Sequence, residues 1–222
     1  MIYAFEKLDS TNQYALDHLR TLKDGDVILA SVQSAGRGRH GHRWQAAKNS
    51  SLLASFIIKK NLSYDRLIHL SSYAGYVLTI WLRDRGVPAL IKYPNDIYVN
   101  DRKLAGILVE TNADGAVVGI GLNLTSAPLS TSIALNEVLV GRLEPQVIAA
   151  QLTILMENYW PLFSQLDQLY AAINRYGYLN GKEMTTSRFG RMQILSIDAK
   201  GQIHYKQNGQ EHVLFVHELS SH

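Results

Sequence analysis

The chain has 222 residues, about one and a half times a typical domain of ~150 residues, which leaves room for one main domain and a small second one. Hydrophobic residues make up 46% and charged residues 18%, which excludes a wholly disordered chain, and the net charge of +3 does not by itself indicate nucleic-acid binding. The absence of cysteine excludes disulfides, thiolate metal sites and cysteine nucleophiles.

The first part of the chain predicts a short helix followed by two buried strands. Its start lacks a hydrophobic leader, and no stretch reaches the ~18 apolar residues of a membrane span, so we expect a cytoplasmic protein that contacts no membrane. Ser10, Thr11 and Asn12 offer capping side chains for a helix that ends near Gly25. Apolar runs over 27–32 and 52–58 predict strands, and a basic, glycine-rich segment separates them.

The middle of the chain predicts a covered sheet. Apolar spacing indicates one long helix that Ser63 caps and Gly86 ends. Three strands that are apolar on both faces then follow, as expected for a sheet with both faces covered, over 91–99, 103–111 and 116–124.

The last part predicts helices and then a small β unit. Pro145 begins a helix that runs to Tyr159, and Trp160-Pro161 bends or ends it before a further helical piece up to Gly177. Short alternating segments over 182–219 are typical of a small barrel or sandwich. We therefore predict an α+β fold with a domain boundary near Asn180.

The segment 36–44, GRGRHGHRW, is the most conspicuous local feature. It contains G-x-G-x-x-G, but Gly41 is followed by a polar stretch rather than the helix that a dinucleotide site requires. His42 and Arg43 stand where a phosphate-binding P-loop needs Lys and Ser or Thr. Glycines allow close backbone approach and arginines offer planar donors, so the segment indicates an anion site; the alternative is a solvated basic loop.

A second group of residues lies around the strand that begins at Lys103. Asn95 and Asp96 follow a proline and could simply form a turn. Lys103 enters a covered strand, where it must extend to solvent, pair with Asp96 or Asp101, or face a ligand. Glycine three residues later, at 106, permits close approach to the same strand.

A third feature is the segment 119–123, GIGLN, in which glycines lie inside a predicted strand. Such glycines imply a bulge or a close approach of another group. The eight histidines form no H-E-x-x-H or H-x-x-x-H pair, and no G-x-S-x-G segment is present. The sequence thus favours neither a caged transition metal nor a serine nucleophile.

Taken together, these features resemble the biotin protein ligases. The resemblance depends on Ser10-Thr11-Asn12, Gln33, GRGRHGHRW at 36–44, KYPND at 92–96, DRKLAGILVE at 101–110 and GIGLN at 119–123. It implies a class II synthetase-like domain over 1–180, with a mixed, mostly antiparallel sheet covered by helices, and a small SH3-like barrel over 181–222. It also implies the short type, without the N-terminal DNA-binding domain of larger members.

The resemblance also implies a role for each matching residue. Lys103 and Arg39 would be catalytic, and Asp96 would hold Mg²⁺ that accompanies ATP. Residues implied to bind biotin are Ser10, Thr11, Asn12, Gln33, Gly36, Arg37, Gly38, Arg39, Lys103, Gly106 and Gly119. Residues implied to bind ATP are Arg39, Arg43, Trp44, Asn95, Asp96, Lys103 and Asn123.

The implied reaction uses ATP and Mg²⁺ to activate biotin as biotinyl-5′-AMP. Biotin is then transferred to a lysine of a biotin carboxyl carrier protein or domain, that of acetyl-CoA carboxylase or a related carboxylase. The family includes monomers and homodimers, and the sequence leaves that choice open. Two positions depart from the family pattern, Tyr93 where tryptophan is usual before Pro94 and His42 where a basic residue is common.

Two alternatives of different classes remain at this point. A lipoate-type ligase would share the fold and the acyl-adenylate chemistry. A non-catalytic protein would use Arg37, Arg39, Arg43 and Trp44 to bind nucleic acid, with affinity that falls steeply with salt and needs no ATP. We expect no DNA binding, and turnover of ATP only with biotin present would exclude the second alternative.

Overall fold

A seven-stranded sheet forms the centre of the molecule, which a computed structural model describes over residues 1–60, 62–215 and 218. Its order is β1-β2-β3-β7-β6-β5-β4, and only β1 and β2 pair in parallel, which confirms the mixed, mostly antiparallel sheet. The strands are β1 (Ile2–Leu8), β2 (Val27–Gln33), β3 (Ser51–Ile58), β4 (Leu90–Lys92), β5 (Asp96–Val99), β6 (Arg102–Asn112) and β7 (Gly115–Asn123).

Helices cover both faces of this sheet. Helix α1 packs on one face, where Ala15 and Leu19 meet Ile57, and the larger core lies on the other face, where Phe56 packs with α3 and α4. Because successive strand residues point to opposite faces, neighbouring residues of β3 serve the two cores. The helices are α1 (Thr11–Asp17), α2 (Tyr64–Leu67), α3 (Leu70–Arg83), α4 (Pro145–Phe163) and α5 (Leu166–Asn174).

A second, four-stranded antiparallel sheet follows residue 180. It has the order β11-β10-β9-β8 and comprises β8 (Glu183–Thr186), β9 (Gly190–Ile197), β10 (Gln202–Gln207) and β11 (Gln210–Phe215). Its buried side chains, Met192 and Ile194 among them, join the larger core next to α5. Residues 216, 217 and 219 of the predicted β unit lie outside the described residues.

Several element boundaries differ from the predictions, and packing explains two of them. Helix α1 ends at Asp17, yet Leu19 and Leu22 stay buried because the turns that follow continue to supply apolar side chains to the core. The predicted helix from Ser63 to Gly86 is two helices, α2 and α3, and the Ser63 side chain makes no capping bond. The interruption places His69 against Tyr170, with His69 Nδ1 2.7 Å from the phenolic oxygen.

Proline and an edge strand account for the other differences. The predicted strand 91–99 is a hairpin of β4 and β5, because Pro94 has no N–H to continue a ladder and the chain reverses there. Helix α4 continues past Pro161 to Phe163, since a proline in the last turn removes little helical bonding. Strand β1 was not predicted at all, and it lies at the edge of the sheet.

No described helix has the length and hydropathy needed to cross a membrane.

Buried His69 predicts a loss of stability in mild acid. Burial, and secondly the charge of Arg66, hold the pKa of His69 below its ordinary value of 6.5, so the folded protein keeps the ring neutral while the unfolded chain takes up a proton. The stability from neutral His69 is therefore complete above pH 6.5 and falls as the pH drops below it. Between about pH 7.5 and about pH 5, the melting temperature of the wild type should fall more than that of His69→Gln. An equal fall in melting temperature over this pH range for the two proteins would contradict this prediction.

Candidate active site

One cavity of about 500 Å³ opens on the face of the sheet that carries α1. Its walls come from the start of α1, the segment 36–44, the turn between β4 and β5, and the central strands β6 and β7. Leu179 and Met184 add a wall from the second sheet and the segment before it. Elements distant in sequence thus meet at a single site.

Hydroxyl and amide groups from Ser10, Thr11, Asn12 and Gln33 form one end of this cavity, and the buried Ser55 lies behind them. We call these five residues the polar floor. Ser10 caps α1 by accepting a hydrogen bond from the Gln13 amide, which confirms the predicted cap. Thr11 donates from its amide (2.7 Å) and its hydroxyl (3.0 Å) to Gln33 Oε1. Ser55 Oγ lies 2.8 Å from Thr11 Oγ1 and 2.6 Å from Asn12 Oδ1. These mutual bonds hold the floor in one arrangement.

The glycines of β7 allow side chains to lie directly on the sheet. A Cβ at Gly119 would lie 2.9 Å from Asn12 Cγ, and a Cβ at Gly121 would lie 2.7 Å from Trp44 Cζ2. The same indole covers Gly106 of β6, which pairs with Gly121 in register. The prediction that these strand glycines allow close approach is therefore confirmed, with Asn12 and Trp44 as the groups that approach.

The segment 36–44 folds into a small hairpin at the mouth of the cavity. The Trp44 amide donates to Gly36 O (3.1 Å) and the Gly38 amide donates to His42 O (2.8 Å). At Gly41 the backbone has a φ of +77°, which favours glycine. The hairpin presents Arg39 and Arg43 at the cavity while its own backbone bonds are satisfied.

Two pairs of side chains bring positive charge to the opposite wall. Lys103 Nζ lies 2.7 Å from Asp96 Oδ1, and Arg39 donates to Asn95 Oδ1 at 2.9 Å. Asn95 is itself fixed by strand β6, because its carbonyl accepts from the Ile107 amide at 2.8 Å. Of the two partners expected for Lys103, Asp96 is the one used, and Asp101 pairs with Lys182 instead. The Lys103–Asp96 pair lies in the cavity wall, so pairing and ligand binding are compatible.

Tyr93 links this wall to the second sheet. Its hydroxyl donates to Gly201 O at 3.3 Å, in the turn between β9 and β10. Burial raises the pKa of Tyr93, so the hydroxyl keeps its proton at neutral pH and remains a donor. The residue that departs from the family pattern thus anchors the second sheet beside Asn95 and Asp96.

Most of the residues proposed from the sequence line the cavity, although their roles stay predictions. Gly36 closes the base of the hairpin without lining the cavity, and Asn123 is buried, with its Nδ2 donating to Ile133 O at 3.2 Å. The proposed residues that do line it are Ser10, Thr11, Asn12, Gln33, Arg37, Gly38, Arg39, Arg43, Trp44, Asn95, Asp96, Lys103, Gly106 and Gly119.

Sequence reasoning missed Ser55, Glu110 and the wall from the second sheet. Ser55 is fully buried in the predicted apolar run 52–58, where it is the one polar residue, and a hydroxyl in such a run is a signal that was available. Glu110 accepts from Asn12 Nδ2 at 2.9 Å and pairs with Arg37. Met184 and Leu179 carry no chemical signal, because apolar lining residues resemble core residues in sequence.

Metal-binding side chains are sparse at this site. Within residues 1–60, 62–215 and 218, no group of three or more His, Asp or Glu side chains is placed to hold a metal ion. Asp96 is the one acidic side chain among the lining residues of the cavity, beside the amide of Asn95. Such a donor set suits a cation that arrives with phosphate oxygens of its own better than an ion caged by protein.

The comparisons with known sequences identify the chain's relatives. The model of the biotin/lipoate A/B protein ligase family matches residues 4–125. The bifunctional ligase/repressor BirA of Escherichia coli is 39% identical over 132 residues, which cover 57% of this chain and 41% of that protein. The biotin--[acetyl-CoA-carboxylase] ligase of Paracoccus denitrificans is 35% identical over 130 residues, covering 55% of this chain and 54% of that protein. The matches thus span about half or less of these relatives' lengths.

Solved structures agree on the fold. The biotin protein ligase of Aquifex aeolicus, in complex with biotin and ATP, superposes with a TM-score of 0.79 over 96% of this chain and 95% of that one. At 19% identity this likeness establishes the shared fold alone. Because the family model matches more than half of the sequence, the chain belongs to the biotin/lipoate A/B protein ligase family.

Proposed function

We propose that this protein is a biotin protein ligase, which forms biotinyl-5′-AMP from biotin and ATP and transfers biotin to a lysine of a carrier protein. The observation that carries the proposal is the single cavity that joins a polar, uncharged floor to a wall bearing Lys103 and Arg39. Biotin has the same division of chemistry, because a neutral ureido ring lies at one end and a carboxylate at the other. Thr11, Asn12 and Gln33, which line this floor, are proposed to contact the ring.

The first step requires two anions to meet. A biotin carboxylate oxygen attacks the α-phosphorus of ATP, a new P–O bond forms, and pyrophosphate leaves. Lys103 and Arg39 lower the repulsion between carboxylate and phosphate and stabilise the negative charge that develops in the transition state. Their pairing with Asp96 and Asn95 holds both cations in position before the substrates bind.

The second step needs protection from water. Biotinyl-5′-AMP is a mixed anhydride, and the hairpin 36–44, which lines the cavity, is proposed to cover it. The amine of the acceptor lysine attacks the acyl carbon, the amide bond forms, and AMP leaves with the electrons of the broken C–O bond. Asp96 is the nearest carboxylate to accept the proton that the amine loses, because it is the acidic residue lining the cavity.

Asp96 and Asn95 are also the side chains that would hold Mg²⁺ brought in by ATP. The ion would neutralise phosphate charge when bound. Arg43 and Trp44 line the same cavity and are proposed to contact the nucleotide. Asn123 is proposed to act from beneath the sheet face, since it does not line the cavity.

The relatives' names suggest the acceptor. The Paracoccus denitrificans protein is named for acetyl-CoA carboxylase, so we propose the biotin carboxyl carrier protein or domain of that enzyme, or of a related carboxylase, as the partner. A homodimer remains part of this proposal, as does a boundary near Asn180 between the ligase domain and the smaller β domain.

Exchange of labelled pyrophosphate into ATP tests the proposal directly, because it reports the first step without an acceptor. We expect exchange with biotin and none with lipoate. Exchange with lipoate alone would establish the lipoate-type alternative of the same family. No exchange with either acid, on protein shown to be folded, would overturn the proposed ligase activity.

Arg39→Gly is expected to weaken retention of the adenylate. The change removes the hydrogen bond to Asn95 and one positive charge at the mouth, and a charged hydrogen bond contributes about 1.5–3 kcal/mol. Release of labelled biotinyl-5′-AMP should therefore quicken by roughly 10- to 150-fold, and unrelated proteins should become labelled on lysine. Release at the wild-type rate would show that Arg39 does not hold the intermediate.

A further inference from the structure

Glu110 lies on β6 at a point where three parts of the site meet. Its side chain is 19% exposed, and its two carboxylate oxygens have different partners. Oε2 accepts from Asn12 Nδ2 at 2.9 Å, and Oε1 accepts from a terminal nitrogen of the Arg37 guanidinium. One carboxylate therefore bonds both to the polar floor and to the hairpin 36–44.

The other end of the Arg37 guanidinium is engaged as well. Its second terminal nitrogen donates to Gln13 Oε1, and Gln13 Nε2 donates in turn to Asp17 Oδ1 at 2.8 Å. The guanidinium is thus held between helix α1 and strand β6. Arg37 lines the cavity, and both terminal nitrogens of its guanidinium are bonded to protein partners.

Asn12 connects this cluster to the substrate side of the floor. Its Oδ1 lies 2.6 Å from Ser55 Oγ, and its Nδ2 also donates to Leu108 O at 3.2 Å. With the bond to Glu110, Nδ2 of Asn12 donates to two acceptors, and this fixes the orientation of the side-chain amide. Glu110 therefore orients a floor side chain with one oxygen and holds the hairpin with the other.

We propose that Glu110 is a positioning residue that ties the hairpin 36–44 to the polar floor, so that closure of the mouth and the arrangement of the floor depend on the same carboxylate. When the hairpin opens, Arg37 leaves Glu110 and the partly buried carboxylate loses its cationic partner, which is unfavourable. The closed arrangement is thus favoured before any ligand binds. A ligand that bonds to Asn12 therefore has to offset less of the free-energy cost of ordering the hairpin.

The proposal concerns the conformation of the free protein, and its consequence for the intermediate rests on the proposed ligase function. Two variants separate the contributions. Glu110→Ala removes both bonds, whereas Glu110→Gln keeps the size of the side chain and a carbonyl oxygen but removes the charge. Glu6→Ala, at an exposed residue of β1 that pairs with Lys48, is the matched control for loss of a surface ion pair.

Amide hydrogen exchange of the segment 36–44 in the free protein is the first measurement. Glu110→Ala should raise exchange there by at least about tenfold, with Glu110→Gln intermediate and Glu6→Ala unchanged. Arg37→Ala should raise it to a similar extent, and the double variant Arg37→Ala/Glu110→Ala should be no worse than either single variant, because both remove the same interaction. Melting temperatures establish that each variant is folded.

The second measurement is the rate at which labelled biotinyl-5′-AMP leaves each variant. We expect faster release from Glu110→Ala by a similar factor, while a merely structural substitution would lower the melting temperature without changing release. Unchanged exchange of the hairpin in Glu110→Ala and Glu110→Gln, or additive effects of Arg37→Ala and Glu110→Ala, would overturn the proposal. Absence of biotin-dependent pyrophosphate exchange in the wild type would instead overturn the proposed function and leave the hairpin result standing.

Discussion

Lys103→Ala is expected to lower biotin-dependent pyrophosphate exchange by at least about a hundredfold, the effect typical of removing one fixed donor from a transition state. The change removes the cation paired with Asp96. In the proposed reaction that carboxylate would then face the biotin carboxylate and the triphosphate without a neighbouring lysine. The activation free energy of adenylate formation rises, because the negative charges of Asp96, biotin and the triphosphate then repel one another without a neighbouring cation. The exchange assay with saturating biotin and ATP measures the loss directly.

Lys182→Ala is the control for this prediction. Lys182 also forms an ion pair, with Asp101 at 2.8 Å, but it does not line the cavity, so exchange should stay at the wild-type rate. Both variants should melt near the wild-type temperature, since partly exposed pairs contribute little to stability. A Lys103→Ala protein with near wild-type exchange would remove this lysine from the proposed mechanism.

Gly119→Ala is expected to weaken biotin binding with little change in ATP binding. The new Cβ would lie 2.9 Å from Asn12 Cγ and closer still to Oδ1, so the amide must leave its place on the floor. Its bonds to Ser55 and Glu110 would then be lost. The ring of bound biotin would then lack its proposed partner Asn12, and a buried polar group left unpaired costs about 1–3 kcal/mol, which corresponds to an increase of roughly 5- to 150-fold in the Kd for biotin.

Gly75→Ala provides the matched control for a glycine in the core. A Cβ at Gly75, on α3, would make only ordinary contacts, with Ile107 Cδ1 at 3.6 Å and Ile97 Cδ1 at 3.7 Å. Neither residue belongs to the polar floor, so the Kd for biotin should not change. Titration calorimetry with biotin and then with an ATP analogue separates the two ligands. If Gly119→Ala weakened both equally, the substitution would have disturbed the sheet and not the floor alone.

Local patterns in the sequence predicted most of the elements that build the core. Apolar runs placed β2, β3, β6 and β7, and they also indicated that both faces of the sheet are covered. These elements were predictable because burial on two faces requires continuous apolar residues, which short-range periodicity records. The glycines at 119 and 106 likewise signalled close approach, since a strand interior rarely tolerates glycine without a reason.

Other features depended on partners distant in the chain. The break before α3 serves the contact of His69 with Tyr170, 101 residues away, and no local signal marks it. Strand β1 exists because its edge position lets it pair in parallel with β2. The hairpin of β4 and β5 was hidden by apolar residues on both sides of Pro94, although proline was itself the available signal.

The sequence by itself determined which residues carry charge, hydrogen-bonding groups and conformational freedom, and their order along the chain sufficed to point to the family. The tertiary structure decided which of those groups face one another. It paired Lys103 with Asp96, paired Arg37 with Glu110, and placed Trp44 over the glycines of the sheet. These outcomes depend on the register of neighbouring strands and on contacts between distant segments, which local residue patterns do not encode.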